Sequence, residues 1–110
     1  MTLEFAFGVD IGGSNVRTVL GDNKGNILRR VSEKTDVTSD NEGISKQIIR
    51  MIRSIQPEDS LMDSIKGIGV GSAGPLDLEK GGLMKPTNMP YDFVPLAEPL
   101  KKEFNSPTFF

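Results

Sequence analysis

Phe5-Ala6-Phe7-Gly8-Val9-Asp10-Ile11-Gly12-Gly13-Ser14-Asn15-Val16-Arg17-Thr18-Val19-Leu20 is the stretch on which the fold turns. Phe5, Phe7, Val9 and Ile11 alternate with Ala6, Gly8 and Asp10, the period of a β-strand. The intervening residues are small, which predicts a strand covered on both faces. Beyond Gly12-Gly13, Val16 to Leu20 is rich in β-branched residues and reads as a second strand. Working outward, Gly21-Asp22-Asn23-Lys24-Gly25-Asn26 has the chemistry of a turn, and Ile27-Leu28-Arg29-Arg30-Val31 makes a third strand. The chain therefore opens with an antiparallel meander. Farther on, Ser39-Asp40-Asn41-Glu42 has the spacing of a capping box and predicts a helix start. Ile44, Ile48, Ile49, Ile52 and Ile55 follow at helical spacing, with Ser45, Lys46, Gln47 and Arg50 expected to face out. Pro57 ends this helix, because the residue before proline resists helical geometry.

Ser60 to Ser64 fits one further turn, and Ile65 to Val70 reads as a glycine-rich strand. Gly71 to Pro95 reads as mostly loop, Leu96 to Phe104 as a second helix, and Thr108-Phe109-Phe110 as the start of another strand. The order β-β-β-α-β-loop-α-β predicts an α/β fold in one domain over residues 1–110. Its mixed sheet would join the antiparallel meander to helix-connected parallel strands and be covered by helices.

Composition removes several classes of function. Cysteine and histidine are both absent, so thiolate and imidazole metal sites and Ser-His-Asp chemistry are excluded from these 110 residues. A formal charge of −2 gives no electrostatic case for nucleic acid or an anionic membrane. No apolar run approaches bilayer length, and Met1-Thr2-Leu3-Glu4 lacks the basic region of a signal peptide. A cytoplasmic domain without nucleic-acid or membrane partners is the expectation.

Adjacent glycines at Gly12 and Gly13 let main-chain N–H groups approach an anion without Cβ atoms in the way. Ser14 and Asn15 add side-chain donors. Asp10, at the strand end, is placed to hold a Mg²⁺ shell, through water because Mg²⁺ dehydrates reluctantly. Arg17 can pair with phosphate or form a surface ion pair. A Walker loop needs Gly-Lys-Ser/Thr before a helix, and a dinucleotide fingerprint needs its glycines to open a helix; here a strand follows. What remains is a phosphate grip made by a β-hairpin, against the plainer alternative of a Gly-Gly turn with no ligand. Two more clusters bear on the choice. Gly67-Ile68-Gly69-Val70-Gly71-Ser72-Ala73-Gly74-Pro75-Leu76-Asp77 runs a strand into a small-residue loop, suited either to tight packing beneath a helix or to backbone contact with a polyhydroxylated substrate. Lys85-Pro86-Thr87-Asn88-Met89-Pro90 is a proline-braced loop, whose Thr87 and Asn88 can serve as hydrogen-bonding arms or merely sit on the surface.

Taken in this order, the three clusters resemble the N-terminal part of the ROK family, which comprises glucokinase-type sugar kinases and sugar-responsive repressors. The resemblance covers nearly the whole chain. Its first motif is shared with the wider actin-like ATPase superfamily, and the three together are more specific. The resemblance implies a ribonuclease-H-like, actin-like lobe of an ATP-dependent hexose or hexosamine kinase. Asp10, Gly12, Gly13, Ser14 and Asn15 would then face nucleotide phosphates and Mg²⁺, while Ser72, Gly74 and Asn88 would line the sugar site. It also implies a catalytic aspartate just past the strand that begins at Thr108, so that no catalytic base lies within residues 1–110. Cofactors would be ATP and Mg²⁺, the partner a small sugar, and the complete protein a homodimer or larger. Ser14 stands where relatives usually carry threonine, which preserves the hydroxyl. Tyr91-Asp92-Phe93 stands where glycine and tryptophan often follow the proline, which bears on sugar preference. The family's sugar-sensing regulators generally carry a DNA-binding segment ahead of the glycine hairpin; nine residues precede Asp10, which points to the kinase.

Overall fold

The computed structural model describes residues 3–72, 74–86 and 89–110. The chain begins with strands β1 (Phe5–Ile11), β2 (Asn15–Asp22) and β3 (Ile27–Lys34), followed by helix α1 (Gly43–Ile55) and a single 3-10 segment at Asp59–Ser64. Strand β4 (Ile65–Ser72) leads to three short strands, β5 (Leu76–Asp77), β6 (Gly82–Met84) and β7 (Phe93–Pro95). Helix α2 (Ala97–Phe104) and strand β8 (Thr108–Phe109) complete it. Five strands form one sheet in the order β3-β2-β1-β4-β8. The meander is antiparallel, β4 runs parallel to β1, and β8 runs parallel to β4. This is the expected mixed sheet.

Coverage differs from expectation. Phe5, Phe7, Val9 and Ile11 are buried in one core with Ile44, Ile48, Met51 and Ile52 of α1 and Leu100 of α2. On the other side of β1, Ala6 and Asp10 are exposed. Among the described residues both helices contribute to that one core, and the small residues on the opposite face are left uncovered by these 110 residues. The region expected to be mostly loop also carries structure: β5, β6 and β7 make a small antiparallel sheet. Strands of two or three residues are too short to show a period, so nothing in the residue pattern announces them.

The first helix also starts elsewhere. Its N-cap is Glu42, and no side chain caps it. Ser39 donates its hydroxyl to Asp36 Oδ2 at 2.8 Å, so a local turn centred on Asp36 uses the group expected to cap the helix. Ser45 and Gln47, expected to face out, are buried at 2% and 6% exposure. Each has a partner that makes burial tolerable: the Ser45 hydroxyl donates to the Pro95 carbonyl, and Gln47 Nε2 donates to Lys34 O at 2.7 Å. No helix among the described residues is long and apolar enough to cross a membrane.

Candidate functional site

Strands β1 and β4 are parallel neighbours, and their register pairs Ile11 with Ser72. The glycine hairpin after β1 and the small-residue loop after β4 therefore emerge side by side at one edge of the sheet. In open α/β sheets that carboxyl edge is where ligands bind. Strand register brings together two residues, Ile11 and Ser72, that are far apart in the sequence.

Within the hairpin, the Gly12 N–H donates to Asn15 O at 2.8 Å and closes the turn. A Cβ added at Gly12 would lie 3.0 Å from that same oxygen, so glycine is needed there for space. Gly13, Ser14 and Asn15 are exposed at the tip. Asp10 and Arg17 face each other across the register, with Arg17 Nη1 3.7 Å from Asp10 Oδ2 and both side chains about two-thirds exposed (64% and 65%). The arginine thus makes the surface ion pair that was one of its two readings. Its guanidinium stays in solvent within reach of the hairpin.

In the second cluster, Ser72 Oγ accepts from the Gly74 N–H at 3.1 Å, tightening the loop. The Cβ position of Gly74 lies 3.6 Å from Pro86, which sets the third cluster against the second. Lys85 has φ 42° and donates its N–H to Asp92 O at 2.7 Å. Asn88 lies outside the described residues. The carboxylate of Asp77 accepts the N–H groups of Glu79 and Lys80 at 3.0 and 2.9 Å, so it is committed to the β5–β6 turn. Among the described residues no group of three carboxylates gathers as a metal cage.

The segment between β3 and α1 contacts the hairpin on one side and the Tyr91–Phe93 stretch on the other, where sequence reading saw only the start of a helix at Ser39–Glu42. Thr35 bonds to the hairpin, donating its N–H to Ser14 O and its hydroxyl to Gly12 O at 2.9 and 2.7 Å. Toward the other side, the Tyr91 hydroxyl donates to the Ser39 carbonyl, and Asn41 Nδ2 donates to Phe93 O at 3.1 Å. Partial desolvation, then the Asp36 and Asp40 carboxylates, hold the Tyr91 hydroxyl above its ordinary pKa. The hydroxyl of Ser39, then the N–H of Thr38, hold the Asp36 carboxyl below its ordinary value. One signal for this segment was available in the sequence: Gln47 interrupts the isoleucine arc of α1, three residues after Ile44 and next to Ile48.

Residues 6–110 match the profile of the ROK family. A glucokinase of Pyrobaculum calidifontis is 31% identical over 100 residues, covering 86% of this chain and 28% of its own length. A xylose repressor of Caldicellulosiruptor bescii is 23% identical over 103 residues, covering 93% of this chain and 26% of its own. The chain thus spans about a quarter of these curated relatives. In structure, it superimposes with a TM-score of 0.77 on a ROK family glucokinase from Streptomyces griseus in complex with glucose and AMPPNP, at 23% identity over 96% of this chain and 32% of that one. The architecture is that of the actin-like, ribonuclease-H-like lobe.

Proposed function

The chain belongs to the ROK family, and from that membership we propose that it forms the phosphate- and sugar-binding lobe of an ATP-dependent hexose or hexosamine kinase. The observation that carries this reading is the pairing of Ile11 with Ser72, which sets the glycine hairpin beside the small-residue loop at the carboxyl edge of the sheet. A donor phosphate and an acceptor hydroxyl need adjacent cradles for in-line transfer, and the protein's part in such a reaction is mostly positioning and charge stabilisation.

In this reading the exposed turn of Gly12, Gly13, Ser14 and Asn15 grips the nucleotide phosphates through backbone N–H groups and two side chains. Arg17 adds positive charge by moving from Asp10 to phosphate. Mg²⁺ is commonly held by one or two carboxylates with water and substrate phosphates, and a single exposed carboxylate at the strand end suits that mode. Asp10 would hold the ion through water, and the ion would neutralise charge on the transferring group. Ser72, Gly74 and Asn88 bind the sugar. Asp77 is committed to its turn, which leaves it poorly suited to act as the general base.

A sugar-responsive repressor is the second reading, supported by the xylose repressor that aligns over 93% of the chain. Both are tested by one experiment on the complete protein: Mg·ATP-dependent phosphorylation of glucose, mannose and N-acetylated hexosamines, for the wild type and Asp10→Asn. The expected loss in kcat is about a hundredfold, at 1.36 kcal/mol per tenfold. Melting should stay within a few degrees, because exposed ion pairs contribute about 0–1 kcal/mol. Sugar binding without any phosphoryl transfer by the wild type would favour the repressor. An Asp10→Asn variant with near-normal turnover would remove Asp10 from the metal site.

A further inference from the structure

Thr35 is 8% exposed and makes two hydrogen bonds to one turn: its N–H to Ser14 O at 2.9 Å and its hydroxyl to Gly12 O at 2.7 Å. Thr35 is itself held from behind. Gln47 of α1 donates from Nε2 to Lys34 O at 2.7 Å and accepts at Oε1 from the Asp36 N–H at 2.9 Å, gripping the backbone on both sides of Thr35. The hairpin is thereby tied to the buried face of a helix, although its tip is exposed.

The orientation of these bonds matters. A trans peptide is planar, and its C=O and N–H point opposite ways. Drawing the Gly12 and Ser14 carbonyls toward Thr35 turns the N–H groups of the same two peptide planes, those of Gly13 and Asn15, to the far side of the turn. A backbone anion cradle depends on N–H groups held in place before the ligand arrives.

We propose that Thr35 is a positioning residue for the phosphate grip, acting through the Gly12 and Ser14 carbonyls and anchored by Gln47. This rests on the phosphate-binding reading of the hairpin. The experiment uses the complete protein with Thr35→Val, which keeps shape and backbone but loses the hydroxyl, and Thr35→Ser, which restores it. Two readouts are taken: amide hydrogen exchange without ligand, and KM for Mg·ATP and for sugar. Thr35→Val should speed exchange across residues 12–15 and raise KM for ATP about tenfold, the size of one buried hydrogen bond. Its KM for sugar and the exchange of α1 should stay close to wild type, and Thr35→Ser should restore both readouts. Unchanged exchange across 12–15 overturns the brace. So does a parallel rise in both KM values that Thr35→Ser does not rescue. Faster exchange in a protein whose wild type neither binds Mg·ATP nor transfers phosphate upholds the brace and removes the kinase reading instead.

Discussion

A Cβ added at Gly82 would lie 2.1 Å from the Val94 carbonyl oxygen and 2.7 Å from the Phe93 ring, whereas one added at Gly71 would find its nearest neighbour, Val9 O, at 4.0 Å. In the sequence Gly71 ends the Ile65–Val70 strand and Gly82 follows Glu79-Lys80-Gly81, and neither context shows what a side chain there would meet. The difference is tertiary: Gly82 sits in β6 against its antiparallel neighbour β7, while Gly71 lies on the exposed side of β4. Gly82→Ala should therefore cost about 3 kcal/mol, the upper part of the range for overpacking, since the obstructing atom is backbone. Gly71→Ala should leave stability within about 0.5 kcal/mol, as a surface substitution. Urea unfolding midpoints of the two variants check both figures. A Gly71→Ala protein that folds normally yet loses turnover would show that this glycine serves ligand approach; one that unfolds would show that the exposed face is covered. What was legible at this scale was the hairpin itself, with Asp10, Gly13, Ser14 and Asn15 exposed at its end. Thr35 was not legible, because a threonine after a strand carries no mark until the hairpin folds against it.

Helix α1 shows how far element-scale reading reaches. The spacing of Ile44, Ile48, Ile52 and Ile55 identified the buried face and Pro57 the end, because both depend on local geometry alone. The polar partners of the helix depend on which strand lies beside it, and α1 lies against β3. There Arg50 Nη1 and Nη2 donate to Glu33 Oε2 and Oε1 at 2.7 and 2.6 Å, a forked pair that Gln47 Nε2 supplements at 3.2 Å. These donors, Arg50 first and Gln47 second, hold the Glu33 carboxyl down to about 2 from its ordinary 4.5. A carboxyl depressed on folding contributes stability that is complete above its unfolded pKa and disappears as pH falls through its folded pKa. The tie between α1 and β3 should thus be intact above about pH 4.5 and weaken progressively toward pH 2. Its size is moderated by solvent, since the Arg50 side chain is 63% exposed. Chemical denaturation of the wild type and Glu33→Gln at pH 7 and pH 3 tests this. The variant should be less stable at pH 7 and closer to wild type at pH 3. An equal gap at both values would mean that the pair contributes shape without charge.

At the scale of the whole molecule, the order of elements and the mixed sheet were legible, because the meander and the helix-connected strands follow from local pattern and connection rules. Which face the helices cover was not: Ala6, Gly8, Gly69 and Gly71 suit a buried interface or an open one equally. Near the end of the chain, Phe104 packs inward, its ring centroid 6.2 Å from that of Phe7 and the Arg53 guanidinium 4.5 Å above it. Phe109 and Phe110 do not, at 60% and 38% exposure. The Phe109 ring lies over Gly67, where an added Cβ would meet it at 2.8 Å, and β8 is the edge strand of the sheet. An edge strand offers unpaired N–H and C=O groups to another chain, and a large aromatic side chain buries about 150–250 Å² when fully covered. The 110-residue chain should therefore self-associate through this edge. Light scattering across a concentration series is the measurement, for the parent and for a Phe109→Ser/Phe110→Ser variant. The parent should gain mass with concentration, and the variant should remain monomeric with a similar melting temperature. A parent that stays monomeric at high concentration, with a variant that melts much earlier, would mean that the two rings complete the chain's own core and that this edge recruits nothing.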